Sequence, residues 1–175
     1  DKKLKRTMKK TNEKNKLVNI FRPKKFIEEK YEEDKQLIID KYNELGYRDA
    51  QIVVDSVTSF DDRTVDIYMQ IEEGNKYYFR NIDWVGNTKY DTATLNRVLG
   101  IHKGDVYNKE LLQTNLTYNE GGYDVSAIYM DDGYLFFSVD PVEVRADNDS
   151  IDIEIRIYEG DQAKIGKVSV KGNTK

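Results

Sequence analysis

One pattern of apolar and polar positions occurs twice along this chain. Residues 65–89 and 151–175 align without a gap at an offset of 86, and nine of the 25 aligned pairs are identical. A repeat of this length corresponds to a small domain with a modest core, not to a solenoid unit. The 175 residues therefore predict about two units of one fold.

The first unit is predicted to be helical and then to form a hairpin. From Phe26, apolar residues recur at helical steps until Gly46, which can end a helix in the left-handed conformation. Residues 52–58 are rich in β-branched side chains, and apolar and polar residues alternate over 65–71, so both segments are predicted strands. A shorter amphipathic helix is predicted over residues 2–13.

The second unit adds an opening strand. Its predicted elements are a strand, a helix, an interrupted helix and two strands, at residues 79–85, 92–99, 108–132, 136–145 and 151–158. Asp91 and Asp124 are predicted N-caps, because a short carboxylate side chain can accept the first free N–H groups of a helix. Gly121-Gly122 interrupts the second helix.

The repeating unit is thus strand, helix, helix, strand, strand, an α+β fold. Since the last two strands form a hairpin and the first is reached across two helices, we expect a mixed three-stranded sheet with both helices on one face. Pro141 favours an edge position for its strand, whereas the alternating isoleucines of residues 151–157 indicate the central strand. The predicted strand order is first, third, second (1-3-2).

These elements predict three segments. Residues 1–75 form a unit that lacks its first strand, residues 76–161 form a complete unit, and residues 162–175 hold the opening strand of a following unit. Strand 64–71 therefore lacks a neighbour, while Ile165–Lys171 is a strand without a domain. We expect that head-to-tail self-association can pair the two.

Three short motifs recur in the same order around these elements: Gly-Tyr after the second helix (46–47 and 133–134), Glu-Gly after the third strand, and Gly-Asn-Thr after the first strand. With the element order and the stretch Lys-Gly-Asp-Val-Tyr-Asn-Lys-Glu-Leu-Leu at residues 103–112, they resemble the tandem POTRA domains of BamA-type outer-membrane protein assembly factors. The break at Gly121-Gly122 departs from the usual pattern.

The resemblance implies a periplasmic scaffold of a Gram-negative bacterium, attached to the outer membrane through a C-terminal barrel that this chain does not include. The partners it implies are unfolded or partly folded outer-membrane proteins and accessory assembly lipoproteins. Binding would use β-augmentation, in which an exposed edge strand accepts an extended segment through main-chain hydrogen bonds.

Two edge strands are candidates for this binding. The predicted binding residues are Gln51, Ile52, Val53, Val54, Asp55, Phe136, Phe137, Ser138 and Val139. Two alternatives stay open, namely that the aromatic residues belong to the core and that the edges contact only solvent. Glu73, Gly74, Glu159 and Gly160 are predicted to form the inter-domain hinges, and the connections are short enough to hold neighbouring domains at a restricted angle.

The charge distribution suggests a second functional class. The net charge is −4, yet the first 25 residues carry +9, so the rest of the chain is acidic. A basic arm over Lys2–Lys25 could bind nucleic acid or an anionic surface. A solvated helix face is the favoured explanation of the arm, because the run has almost no interleaved aromatic residues or glycines. With an acidic body we expect no nucleic-acid partner.

Catalytic chemistry has little support. The chain has one histidine, His102, and no cysteine, so a nucleophile and base pair is not apparent. The paired aspartates occur where turns and caps are expected, without the glycine and distal glutamate of a calcium loop. We therefore expect neither an enzyme nor a metal or other cofactor.

Overall fold

The computed structural model describes residues 6–11 and 25–172. Its elements, in chain order, are α1 (Glu28–Glu44), β1 (Gln51–Asp61), β2 (Thr64–Glu72), β3 (Tyr78–Val85), α2 (Thr92–Leu99), α3 (Lys109–Thr117), α4 (Val125–Asp131), β4 (Ser138–Asp147) and β5 (Ser150–Tyr158). Over these described ranges, no helix has the length and apolar character needed to cross a membrane.

The chain divides into two compact units. The first contains the chain up to Tyr78 together with residues 104–109 and 147–150, and the second contains residues 79–103, 110–146 and the chain from Ile151. Each unit thus combines helices with its own sheet, as expected for tandem α+β repeats.

The sheet of the second unit has the order β3-β5-β4, which confirms the predicted order 1-3-2. In central β5, Ile151, Ile153 and Ile155 are at most 1% exposed, and the residues between them are half-buried. This alternation places one face of the strand in the core. β4, which contains Pro141, lies at an edge of the sheet, where the missing proline N–H costs no ladder hydrogen bond.

The helices of the second unit begin and end at the predicted signals. The Asp91 carboxylate accepts the Thr94 N–H at 2.8 Å, and Gly100 ends α2 with a φ of 64°. The second helix is divided into α3 and α4, and the chain between them passes through Gly122 with a φ of 67°. Asp124 caps α4.

The first unit contains α1 and a two-stranded antiparallel sheet, β1-β2. Ile38, Tyr42 and Ala50 form its buried apolar cluster, and Met69 and Ile71 of β2 pack against them. One face of the hairpin therefore covers the apolar stripe of α1.

Residues 104–109 belong to the first compact unit. The Tyr107 N–H donates to the Tyr77 carbonyl at 2.9 Å, the Asn108 amide donates to the Glu44 carbonyl at 3.4 Å, and the Tyr107 side chain is buried. This segment lies within the stretch Lys-Gly-Asp-Val-Tyr-Asn-Lys-Glu-Leu-Leu at residues 103–112.

The predicted start of β4 is wrong by two residues. The strand begins at Ser138, so Phe136 and Phe137 precede it. The Phe137 N–H donates to the Tyr134 carbonyl at 3.1 Å, and its ring stacks on Tyr129 with centroids 4.2 Å apart. This turn and the burial of the ring keep the pair out of the ladder. The turn after β1 also begins later than expected, because β1 extends to Asp61.

The predicted strand Ile165–Lys171 is likewise absent. Residues 159–172 contain neither helix nor strand, and the side chains of Ile165, Val168 and Val170 are 74–89% exposed. A strand needs a neighbour for its N–H and C=O groups, and none pairs with this segment within the described chain.

Most of the helix predicted over residues 2–13, and most of the basic arm Lys2–Lys25, lies outside the described residues. Residues 6–7 are helical. Residues 9–11 are not, because their N–H groups donate to the buried Asp34 carboxylate at 2.5–3.1 Å. The helix predicted to continue to residue 13 therefore ends earlier.

Candidate protein-binding edges and Glu-Gly junctions

The Glu-Gly motif of the first unit is fixed by a tyrosine of α1. The Tyr42 hydroxyl donates to the Glu73 carboxylate at 2.9 Å, and the Tyr42 ring meets Tyr47 edge to face with centroids 5.9 Å apart. The Gly46 carbonyl accepts the Tyr77 N–H at 2.8 Å. The connection after Glu-Gly is thereby tied to the Gly-Tyr turn. We call this arrangement a junction.

The second unit repeats the junction with matching distances. The Tyr129 hydroxyl donates to Glu159 at 2.9 Å, Tyr129 and Tyr134 meet edge to face at 5.9 Å, and the Gly133 carbonyl accepts the Ala163 N–H at 2.8 Å. Two copies of one local geometry therefore explain why Gly-Tyr and Glu-Gly recur together.

Glu159 has a second set of donors in the Gly-Asn-Thr loop. The N–H groups of Thr88 and Lys89 each donate to its carboxylate at 2.8 Å, and the Thr88 hydroxyl donates as well. Partial burial acts to raise the pKa of Glu159, but these hydrogen bonds and that of Tyr129 outweigh it and lower the pKa below its usual value. The carboxylate thus joins the end of β5, the loop after β3 and helix α4.

The glycine of the Gly-Asn-Thr loop is required by a close approach of two backbones. Gly86 has a φ of 92°, and a Cβ atom there would lie 2.2 Å from the Ile157 carbonyl oxygen. A residue with a side chain would force the loop away from β5. The glycine of the motif therefore has a structural explanation.

The predicted hinge glycines occupy equivalent turns. Gly74 has a φ of 69° and Gly160 a φ of 67°, both in the left-handed region. Glu73 and Glu159, the other predicted hinge residues, are the carboxylates held by tyrosines. The tyrosine partners were not predicted, although the repeated spacing Tyr-x-x-x-Gly-Tyr at 42–47 and 129–134 was a signal that could have identified them.

Of the predicted binding residues near β4, Ser138 and Val139 lie on the edge strand itself. Phe136 lies before the strand and is 71% exposed, whereas Phe137 is buried against Tyr129. The first alternative, a core position, therefore holds for Phe137 and not for Phe136.

The other predicted residues, 51–55, all lie on β1. Val53 and Val54 are partly exposed, and Val53 is the residue that the register with β2 skips at a bulge. Asp55 faces α1 instead, where it accepts hydrogen bonds from the Tyr31 hydroxyl and the Lys35 ammonium. Burial, followed by the bond to Asp55, raises the pKa of Tyr31. Asp55 therefore joins helix to sheet.

His102, the candidate for catalysis, lies on an exposed loop. Within the described residues, no group of His, Cys, Asp or Glu side chains is arranged to hold a metal ion.

The geometry defines a class of protein: tandem α+β units, of which the second has the order strand, helix, divided helix, strand, strand, and each of which has a tyrosine-glutamate junction after its last strand. The POTRA family, described as "Surface antigen variable number repeat", matches residues 1–74 and 77–160. The chain belongs to the POTRA family, and the resemblance seen in the sequence is confirmed.

Proteins similar to this chain include two curated assembly factors. Outer membrane protein assembly factor BamA of Neisseria meningitidis serogroup B is 26% identical over 129 residues, which are 70% of this chain and 16% of that protein. A putative outer membrane protein assembly factor of Treponema pallidum is 24% identical over 158 residues, 86% of this chain and 18% of that protein. The chain therefore spans less than a fifth of the length of these relatives.

A solved structure shares the fold. The crystal structure of Haemophilus influenzae BamA POTRA3-5 has a TM-score of 0.63 and 21% sequence identity, and the match covers 99% of this chain and 66% of that one. At this identity the similarity concerns the arrangement of helices and strands.

Proposed function

We propose that this chain is part of the periplasmic scaffold of a BamA-type machine that assembles outer-membrane proteins. Membership of the POTRA family and similarity to two assembly factors support this proposal. The clients would be unfolded or partly folded outer-membrane barrel proteins, and accessory lipoproteins would be further partners.

The open edge of β4 is the observation that carries the binding mode. An edge strand offers main-chain donors and acceptors at a fixed spacing, so it binds extended segments with little dependence on their sequence. A receptor for many clients needs this tolerance. The exposed Phe136, directly before the strand, adds an apolar contact next to the ladder.

The orientation of the β4 backbone follows from Pro141. A proline in a sheet turns its nitrogen away from the neighbouring strand. Because successive residues of a strand alternate in direction, the Val139 N–H is directed to the same outer edge as the Pro141 nitrogen. Val139 is therefore our primary donor to a client, and Val53 of β1 is the second candidate.

The test compares two substitutions at one position. A urea-unfolded, fluorescently labelled barrel protein is diluted into buffer with the chain, and binding is measured by anisotropy. Val139→Pro removes the outward donor, and we expect affinity to fall about fivefold to tenfold, the value of one main-chain hydrogen bond. Val139→Thr keeps the N–H and the β-branched shape, so it should bind like the wild type. Val53→Pro tests β1 in the same way.

Circular dichroism and thermal melting establish that each variant folds. A folded Val139→Pro chain with unchanged affinity contradicts augmentation at β4. Failure of the wild-type chain to bind any unfolded barrel protein contradicts the scaffold function itself.

We further propose the domain boundaries near Gly74 and Gly160. The junctions support these positions, because each glutamate is held within its own unit and the segment beyond it is hydrogen-bonded to the Gly-Tyr turn.

A further inference from the structure

The loop between α3 and α4 distinguishes the second unit from the first. At the offset of 87 residues that aligns the Gly-Tyr motifs at Gly46 and Gly133, residues 118–124 correspond to residues 31–37. Residues 31–37 lie inside α1, which is a continuous helix, whereas residues 118–124 are not helical. The shared fold of the two units therefore does not require this loop.

Hydrogen bonds within the loop fix its backbone. The Asn119 N–H donates to the Asp124 carboxylate at 3.0 Å, which closes the loop at its base. Asn119 in turn accepts the Gly121 N–H through its side chain at 2.8 Å and the Gly122 N–H through its carbonyl at 2.7 Å. A loop held in this way loses little conformational entropy when it binds a partner.

The helices on both sides of the loop are anchored within the unit. The Asn115 amide of α3 donates to the Leu99 carbonyl at 2.8 Å, and the Ser126 hydroxyl of α4 donates to the Leu116 carbonyl at 2.9 Å. The loop therefore begins and ends on helices whose positions are set by the core.

Two tyrosines at the ends of the loop are exposed to water. Tyr118 is 75% exposed and Tyr123 is 60% exposed, and Leu111, two helical turns before Tyr118, is 45% exposed. Tyrosine offers a large amphipathic contact area at a low cost in side-chain entropy, so it is enriched where proteins bind one another. Two exposed rings on a fixed backbone therefore favour a protein-binding surface. We call residues 118–123 the tyrosine loop.

The charge around the tyrosine loop indicates what it binds. Residues 110–144 contain seven acidic residues and no lysine, arginine or histidine, although the whole chain has 28 Lys and Arg among 175 residues. Glu120 is exposed within the loop, and no cation of the described residues pairs with it. Such a surface repels nucleic acid and anionic membranes and attracts a basic protein segment.

Tyrosine rings next to a carboxylate are suited to arginine. A guanidinium group can stack on an aromatic ring while its N–H groups bond to a carboxylate, which a compact ammonium group does less well. The first unit contains such a group. The Arg48 guanidinium lies 5.8 Å from the centroid of the Tyr77 ring and pairs with the Asp49 carboxylate at 3.7 Å.

We propose that the tyrosine loop binds a segment of a partner protein that presents arginine side chains. Guanidinium groups lie over the rings of Tyr118 and Tyr123 and pair with Glu120, and the apolar part of the segment contacts Leu111. The loop contains no residue of β4, so this contact does not depend on augmentation at that edge.

NMR of the nitrogen-15-labelled full chain locates the site. The probe is the peptide Gly-Arg-Gly-Arg-Gly, titrated at low salt, and we expect the amide shifts to concentrate in residues 118–123. A peptide with lysine in place of arginine has the same charge and should bind more weakly, because it does not stack in the same way. Shifts that are absent from residues 118–123, or equal affinity for the two peptides, overturn the proposal.

Substitution of the tyrosines tests the role of the rings. Tyr118→Ser and Tyr123→Ser should each weaken binding of the arginine peptide about threefold, and the double variant about tenfold. Tyr118→Phe and Tyr123→Phe keep the rings and should bind like the wild type. Tyr158→Ser is the matched control, because Tyr158 is 67% exposed in the same unit but lies outside the loop. Unchanged spectra outside the loop establish that each variant folds. A double serine variant that binds no more weakly than the control overturns the proposal.

Glu120→Gln tests the charge. It should weaken binding about twofold to threefold, as expected for an exposed ion pair. Asp140→Asn is its matched control, because it removes an exposed carboxylate from the same cation-free stretch but on β4. Equal weakening by the two substitutions would show that the peptide responds only to net charge, which overturns a site at the loop.

Discussion

The side chains of Tyr42 and Tyr129 each have two structural roles. Their rings fill the cores of their units, and their hydroxyls donate to the glutamates at the strand ends. Burial, and then the bond to Glu73, raises the pKa of Tyr42 to about 12. The hydroxyl therefore stays protonated and remains a donor over the whole ordinary pH range. In the second unit, the Glu159 carboxylate accepts the tyrosine hydroxyl together with the Thr88 and Lys89 N–H groups.

Glu159→Gln should lower the stability of the second unit at neutral pH. It should also make the free energy of unfolding depend less on pH in the acid range. The Thr88 and Lys89 N–H groups and the Tyr129 hydroxyl all donate to one carboxylate oxygen, Oε1, and the Thr88 hydroxyl donates to the other, Oε2. The amide keeps one acceptor oxygen for the first three donors but has no charge, and its NH2 group replaces the acceptor of the Thr88 hydroxyl, so we expect a loss of about 1 kcal/mol after allowing for partial exposure. The pKa of Glu159 is lowered by folding. Its contribution is therefore complete above the ordinary value of 4.5 and disappears as the pH falls through the lower, folded value.

Urea unfolding at a series of pH values measures this effect. Glu154→Gln is the matched control, because Glu154 lies on β5 shortly before Glu159 and, within the described residues, its carboxylate accepts a hydrogen bond from Arg156, two residues away. The difference between Glu159→Gln and the wild type should shrink as the pH falls below 4.5. A difference that is constant with pH, or equal to that of the control, contradicts the role given to the carboxylate.

At the scale of elements, the most accurate predictions concern helix ends and strand positions that are determined by neighbouring residues. Helix α2 was predicted over its full length, because Asp91 and Gly100 act within one turn of the helix ends. The order of the second sheet followed from Pro141 and the alternating isoleucines, which report directly on edge and centre. These features depend on a few neighbouring residues and little on the rest of the fold.

Elements decided by distant contacts were predicted less well. β4 begins late because Phe137 stacks on Tyr129, a residue of another element, and no local rule distinguishes Phe137 from its exposed neighbour Phe136. Glu159 was recognised as part of a repeated motif, but its donors at Thr88 and Tyr129 are 71 and 30 residues away. The repeated sequence motifs predicted where the junction lies, but the hydrogen-bond donors to its glutamate are seen only in the structure.

The N-cap of α4 should contribute more to the free energy of unfolding than the N-cap of α2. Asp124 is buried, accepts the Ala127 N–H at 2.9 Å and also accepts the Asn119 N–H at 3.0 Å. Asp124→Ala removes both bonds, so we expect a loss of about 2 kcal/mol in the free energy of unfolding. Asp91→Ala is the matched control in an exposed cap and should cost less. Chemical denaturation measures both, and an equal or smaller loss for Asp124→Ala would show that its second bond contributes nothing.

At the scale of the whole molecule, the two units bury equivalent strands to different extents. Within the described residues, the second unit has three strands and a β5 with buried isoleucines, and the first has two strands and a partly exposed β2. Apolar surface removed from water contributes about 25 cal/mol for each Å². The first unit therefore gains less from folding, and we expect it to open more readily than the second.

Hydrogen exchange of the backbone amides tests this difference within a single sample. Amides of residues 65–71 should exchange about tenfold or more faster than their equivalents at residues 151–157, since opening of the weaker unit does not require unfolding of the other. Equal rates in the two strands would mean that the two units unfold as one, and that the different burial of β2 and β5 does not separate their stabilities.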